Sequence, residues 1–416
     1  MAITTDDRTP DDEHGALIPT FRVAPAGPAH LASDPEAPCT AWFEGDRQRL
    51  QVATSAVGLG IDLRDEVSRI VASRRELGLL RDALRVLRSP LVEPLTQFLE
   101  PVQGWKLRTQ TLATDRPVIM GILNLTEDSF SGDGVGADTD SAVRRAVALR
   151  EAGADIIDVG AESARADRPV LEEGAEAELV GATMKALVRE GLVVSSDTYK
   201  AGVAEAALSE GAELINDISG LTLGMGAAGP AAEAGAGYVL NFSYSVPKQR
   251  PPSPPEYDDV MEYTLAWMEL RLGQIRAAGL ARENIAIDPG IAFGKSHDED
   301  IQVLRRIGEL QTFGHPVLLA HSRKNFIGSV NGNAPAERDP ETHVASALAY
   351  AQGVRIFRVH DPEGARRALS MAAAIVDGAA GAFAPDAESW PWRAGASAAH
   401  MTNAAPDKSA PAGQRW

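Results

Sequence analysis

Cysteine is nearly absent from this chain: Cys39 is the only one in 416 residues. A single thiol excludes an intramolecular disulfide and any metal cluster built on cysteine. Positive charge is also short, with 40 Lys and Arg against 58 Asp and Glu, a net charge of -18. A nucleic-acid surface needs clustered Lys and Arg against phosphates, so this balance argues against one, while leaving room for a local basic pocket that holds a small anion. Long apolar runs are missing too, and none reaches the roughly 18 residues that cross a bilayer. The start Met-Ala-Ile-Thr-Thr-Asp-Asp is acidic and lacks the basic-then-apolar order of an export signal, so the expected location is the cytoplasm.

What is present is a repeated event. In Val118-Ile-Met-Gly-Ile-Leu-Asn-Leu-Thr an apolar run stops at Asn124 and passes into a polar loop. Seven more runs behave alike: Asp155 to Val159, Leu192 to Ser196, Glu213 to Ile215, Tyr238 to Leu240, Ile285 to Ile287, Pro316 to Ala320 and Arg355 to Val359. Helical patterns follow them, among them Ser141 to Ala152, Lys200 to Glu210, Tyr257 to Ala278, Asp300 to Leu310 and Pro362 to Val376. Eight strand-then-helix units predict an α/β fold, a (β/α)8 TIM barrel whose site collects where the strands end. An open doubly wound sheet would need a G-x-G-x-x-G turn after its first strand, and that turn is absent.

A barrel of about 250 residues leaves much of the chain over. The expected division is a disordered arm at 1–36, a small helical module at 37–103, the barrel at 104–378 and a disordered tail at 379–416. Trp105 to Arg116 alternates apolar and polar residues, as a hairpin closing the lower end of the barrel would. The Pro-rich stretch from Val246 is expected to be a surface loop at the site face.

Any one strand-end polar residue is as easily a cap or a turn residue as a ligand contact. The case lies in their recurrence on one rim. Asn124, Asp197, Asn216 and Asp288 together suit a flat heterocycle with ring N–H, amino and carbonyl groups. Lys324 follows the seventh run, and Arg358 and His360, two apart and so on one strand face, end the eighth. The loops after strands seven and eight are the usual anion site of such barrels. A solvated Arg beside a structural His is the competing reading. Loops 126–134 and 160–168, the second carrying Arg165, are placed as lids would be.

The segments Gly121-Ile-Leu-Asn-Leu-Thr-Glu-Asp-Ser-Phe-Ser131, Asp155-Ile-Ile-Asp-Val-Gly-Ala-Glu-Ser163, Ser196-Asp-Thr-Tyr-Lys200, Ile215-Asn-Asp-Ile-Ser-Gly220, Ile287-Asp-Pro-Gly-Ile-Ala-Phe-Gly-Lys295, Ser322-Arg-Lys-Asn-Phe-Ile-Gly328 and Phe357-Arg-Val-His-Asp361 resemble, in order, the motifs of the dihydropteroate synthase family. The resemblance covers roughly Trp105 to Val376. It implies a cytoplasmic, pterin-binding transferase of folate biosynthesis that condenses 6-hydroxymethyl-7,8-dihydropterin diphosphate with para-aminobenzoate and releases diphosphate. It implies that Asp197, Asn216, Asp288 and Lys324 hold the pterin, and that Arg358, His360 and Asn124, the last through Mg2+, hold the diphosphate. Arg165, Phe293 and Asn325 would border the aminobenzoate. Asp197, Lys324, Arg358 and His360 are the groups expected to act on the reaction. Partners would be these small molecules and, as in the family, a second copy in a homodimer, with no nucleic acid and no membrane.

Three departures bear on the amine side. The family's Ser-Thr-Arg-Pro is here Ser163-Ala-Arg-Ala166, its Met-His-Met is Leu240-Asn-Phe-Ser243, and Asn325 replaces a Ser. They leave two other readings: a pterin-binding paralogue without catalysis, and a pterin-dependent methyltransferase, which would have no use for Arg358 and His360. They also imply altered sulfonamide recognition.

Overall fold

The protein is described here from a computed structural model, which covers residues 19–25, 35–64, 67–125, 138–162, 170–245 and 255–378. All eight expected runs form parallel strands of one sheet: β7 (Val118–Asn124), β8 (Ile156–Gly160), β9 (Val194–Asp197), β10 (Leu214–Asp217), β11 (Gly237–Asn241), β12 (Ile285–Asp288), β13 (Leu318–Leu319) and β14 (Ile356–Val359). Their order is β12-β11-β10-β9-β8-β7-β14-β13, and a parallel bridge between Ile287 and Val317 joins the two ends. The result is a closed (β/α)8 barrel. Strands buried on both faces read as continuous apolar runs, which is why these eight stand out in the sequence.

The helices begin where their caps dictate. Asp259 accepts from the backbone N–H groups of Met261 and Glu262, so the expected helix from Tyr257 starts at Val260 and runs to Ala277. A capping box between Ser296 and Glu299 starts the next at His297. It ends at Arg305, and a tighter 3-10 turn, Ile307–Phe313, completes the span expected as one helix. Asp361 caps Pro362–Val376 by accepting from Gly364 N–H.

The alternation of strand side chains sets the site. The barrel floor is apolar: Val118, Met120, Ile156, Leu214, Val239, Ala286, Leu318 and Ile356 cluster around Trp105 and Leu107 of the expected hairpin, β5 (Trp105–Lys106) and β6 (Thr111–Leu112). Trp105 Nε1 donates to the Asn284 carbonyl at 2.8 Å, so the indole is held as well as buried. A Cβ on Gly237 would lie 2.7 Å from the Leu107 side chain, so β11 begins with the one residue that admits this plug. Two residues further along the same strands, on the same face, the layer becomes polar: Asp158, Asn216, Asn241, Asp288 and Arg358.

The amino-terminal region corrects two expectations. Residues 37–103 are not a helical module. They hold the strands β2 (Pro38–Glu44), β3 (Asp62–Arg64) and β4 (Val67–Ser73), with helices Arg47–Val57, Arg74–Val86 and Val92–Leu99. Residues 1–36 are not all a disordered arm, because β1 (Phe21–Pro25) completes an antiparallel sheet of order β1-β2-β4-β3. Val67, Ile70 and Val71 suggest helical spacing. The burial shows period two instead: Ser68, Ile70 and Ala72 turn inward while Arg69 and Val71 are exposed. On β2, Cys39, Ala41 and Phe43 are the buried set.

This module docks on the flank of the barrel. The outer edge of β1 is covered there: Val23 N–H donates to Thr312 Oγ1 at 2.9 Å, and Thr20 N–H to Glu269 at 2.8 Å. Arg22 pairs with Glu262 at 2.6 Å and stacks on Trp42. Among the described residues no helix is long and apolar enough to cross a membrane. Most of the expected arm, the Pro-rich loop and the tail from 379 fall outside the described residues.

Candidate active site

The centre of the rim is Arg358, delivered from β14 into the barrel mouth. Its Nε donates to Asp158 Oδ2 at 2.6 Å and one Nη donates to Asp197 Oδ2 at 2.7 Å. Asn216 Nδ2 donates to the same Asp158 oxygen at 3.0 Å. One guanidinium therefore serves two carboxylates. Burial pushes the Asp197 carboxyl up to about 7; Arg358 opposes that rise and Asp158 adds to it. Burial acts to lower Arg358, but Asp158 and Asp197 outweigh it and hold the guanidinium above its ordinary range.

Across the mouth, Asp288 ends β12 and is almost fully buried. Its carboxylate accepts from Gly290 N–H at 2.7 Å and from Ala320 N–H at 3.1 Å, which fixes its plane. Burial raises its pKa and Lys324 opposes the shift. Lys324 donates to the Ile291 carbonyl at 2.7 Å, and its ammonium lies 4.9 Å from the centre of the Phe293 ring. Phe293 and Lys324 thus meet. Asn325 opens the helix Asn325–Asn331 and accepts from Arg338 at 3.1 Å.

Two residues near this side hold left-handed backbone without being glycine: Ala292 at φ 67° and Arg323 at φ 58°. Such strain persists where surroundings over-determine it. Arg323 is clamped by a two-point ion pair to Asp339, both contacts at 2.7 Å, and its N–H donates to Thr342. Ala292 N–H donates to Asp300 at 2.9 Å. Both strained positions immediately adjoin site residues, Phe293 and Lys324.

His360 follows β14. Ser322 Oγ accepts from the His360 backbone N–H at 3.2 Å and lies 2.9 Å from Nδ1. Asn124 closes β7, half-buried at the same end of the barrel. Arg165 lies outside the described residues, as does most of each expected lid.

The sequence reading missed Asp158. It is fully buried, and its Oδ1 is among the buried polar atoms without a partner. The available signal was a charge inside the apolar run Ile156-Ile-Asp-Val159, placed by register directly beside Ser195 of β9, the inward position below Asp197. Two lysines were also missed. Lys200 is wrapped by Glu162 at 2.8 Å, Glu176 at 2.5 Å and the Leu171 carbonyl at 2.8 Å. Lys295 donates to the Pro289 and Gly290 carbonyls at 2.9 and 3.2 Å and lies 3.5 Å from the Phe242 ring centre. Burial depresses Lys295 to about 7, with Asp300 and Asp288 opposing. It braces the loop that carries Phe293.

A parallel barrel whose strand-end rim gathers buried carboxylates, carboxamides and a lysine around Arg358 has the architecture of an α/β-barrel enzyme with a polar site at its mouth. Comparison with known proteins narrows the class. Residues 120–360 match the family described as pterin binding enzyme. The chain is 36% identical to dihydropteroate synthase of Mycobacterium leprae over 262 residues, which is 62% of this chain and 92% of that protein. It is 37% identical over 252 residues to a probable bifunctional folylpolyglutamate synthase/dihydropteroate synthase of Haloferax volcanii, covering 59% of this chain but 29% of that longer protein. The solved dihydropteroate synthase of Thermus thermophilus in complex with 4-aminobenzoate superposes with a TM-score of 0.58 at 34% identity, covering 65% of this chain and 99% of that one. The chain belongs to the dihydropteroate synthases, transferases of folate biosynthesis.

Proposed function

We propose that the rim residues carry the condensation of 6-hydroxymethyl-7,8-dihydropterin diphosphate with para-aminobenzoate in the following way. Asp197, Asn216, Asp288 and Lys324 hold the pterin ring, and Phe293 and Asn325 border the amine. The arylamine nitrogen forms a bond to the pterin methylene while the C–O bond to diphosphate breaks, the electron pair leaves with the phosphate oxygen, and the new ammonium loses a proton. Positive charge gathers on the pterin and negative charge on the leaving oxygens. Buried carboxylates oppose the first, and His360 and Arg358 oppose the second. No protein nucleophile is needed, so position and electrostatics carry the rate. The observation that supports this reading is the single network joining Asp158, Asp197, Asn216 and Arg358 beside Asp288 and Lys324.

Among the described residues no group of three His, Cys, Asp or Glu stands ready as a metal cage. Mg2+ typically takes one or two protein oxygens together with substrate phosphates and waters. The carboxamide oxygen of Asn124 at the strand end fits that modest share, and bound Mg2+ would supply counter-charge to the diphosphate.

The test is product formation. Purified protein given the pterin diphosphate is expected to release diphosphate only when an arylamine is present, with dihydropteroate detected by mass. Diphosphate release that ignores the amine, or none at all, contradicts the assignment.

A pH dependence follows from Asp197. Burial pushes its carboxyl in the unliganded protein up to about 7. Ring N–H groups donating to it favour the ionised form and lower that value on binding. Pterin affinity is therefore expected to rise as pH climbs towards about 7, and binding at pH 6 should release protons. Calorimetry at pH 6 in buffers of different ionisation enthalpy measures the release. Identical heats in all buffers would contradict it.

A further inference from the structure

One polar residue of the barrel mouth has no part in the scheme above. Asn241 ends β11, and the register sets it directly beside Asp288 of β12. Val239, two residues earlier, belongs to the apolar floor, so Asn241 faces the same interior one layer higher. It is 3% exposed. Its Nδ2 donates to the Phe242 carbonyl at 2.8 Å and to the Ile218 carbonyl at 3.3 Å. Both partners only accept, so the nitrogen must face them and the orientation of the carboxamide is settled by chemistry. The nitrogen is spent on the wall, and the oxygen points the other way. Among the described residues none donates to that oxygen, and it is not one of the atoms sealed from solvent. Water can reach that acceptor in the mouth, so a ligand that displaces the water must donate to it in turn or leave it desolvated and unpaired.

We infer that Asn241 is a further pterin-recognising residue, whose Oδ1 accepts a hydrogen bond from an N–H donor on the heterocycle edge that faces Asp288. The inference rests on the pterin reading of the mouth. It adds a specificity contact beyond the four residues already assigned to the ring. Phosphate is repelled at this position by the neighbouring carboxylate, and an apolar aryl ring would leave the oxygen unpaired; a donor-rich heterocycle satisfies it.

The experiment compares the unaltered protein with Asn241→Leu, which keeps the volume, and Asn241→Ala, which leaves space. Dissociation constants for the pterin diphosphate, KM for para-aminobenzoate and melting temperatures are read for each. Both variants are expected to bind the pterin diphosphate about tenfold more weakly, the loss for one hydrogen bond whose partner is left unsatisfied. The KM for para-aminobenzoate should stay unchanged. Unchanged pterin affinity in either folded variant overturns the inference, as does an equal loss on both substrates, which would make Asn241 a prop for the wall. Failure of the unaltered protein to bind the pterin diphosphate would instead overturn the reading of the site itself.

Discussion

Asp197→Ala is expected to abolish measurable pterin binding while leaving the fold intact. The carboxylate is held 2.7 Å from Arg358 at the end of its strand, and on the proposed reading it accepts from the ring N–H groups. A site built to hydrogen-bond its ligand loses roughly 10⁴-fold when one side of that match is removed. Stability responds differently. With Asp197 gone, Arg358 keeps Asp158 as its partner at 2.6 Å, and the buried charges balance one to one. Asp197 has a folded-state pKa raised to about 7, above its ordinary value of 3.8, so its contribution is most favourable at low pH and is lost as pH rises from about 4 through about 7. The variant lacks that loss. Its melting temperature should match or exceed that of the unaltered protein at pH 8, with the difference shrinking towards pH 4. Calorimetric titration with the pterin diphosphate, together with melts at both pH values, checks both parts. Retained affinity close to that of the unaltered protein would remove Asp197 from the pterin site.

The barrel was legible because its strands are buried on both faces and so announce themselves as apolar runs ending in Asn, Asp or Arg. Even β13, only two residues long as a paired strand, was found, because Val317 and Ala320 extend the same apolar run. The rim residues were legible at strand ends and hidden inside strands. Asp158 shares the polar layer with Arg358 but lies in the middle of a run, where a terminus-based reading passes over it; only the closing of the barrel brings it to Arg358, 200 positions away. The module was misread for a related reason. Its strands β2 and β4 bury one face against helices, and the mixed exposure of Val67, Ile70 and Val71 fits helical and strand spacing equally until pairing with β2 decides. Lys200 and Lys295 were passed over because a lysine reads as a surface residue, whereas here carboxylates and carbonyls compensate the buried charge.

Arg358→Ala is expected to be the more damaging of the two changes, because it removes the cationic partner of a carboxylate that cannot reach water. Asp158 is fully buried, and besides Arg358 its carboxylate receives a hydrogen bond from Asn216 at 3.0 Å. Without the guanidinium, Asp158 and Asp197 face each other across a low-dielectric mouth. Breaking a buried pair by deleting one partner costs about 3–5 kcal/mol. Diphosphate-dependent binding should fall as well, and more than binding of a bare pterin alcohol, since on the proposed reading the lost cation also faces the leaving group. The two effects separate through a second change. Asp158→Asn on the Arg358→Ala background removes the stranded charge and keeps an acceptor for Asn216, so it should recover most of the melting temperature but none of the preference for diphosphate over alcohol. Thermal melts and paired titrations with the two pterins read this directly. If Arg358→Ala melts like the unaltered protein, the two carboxylates do not depend on Arg358, and the charge network proposed as the core of the site is wrong.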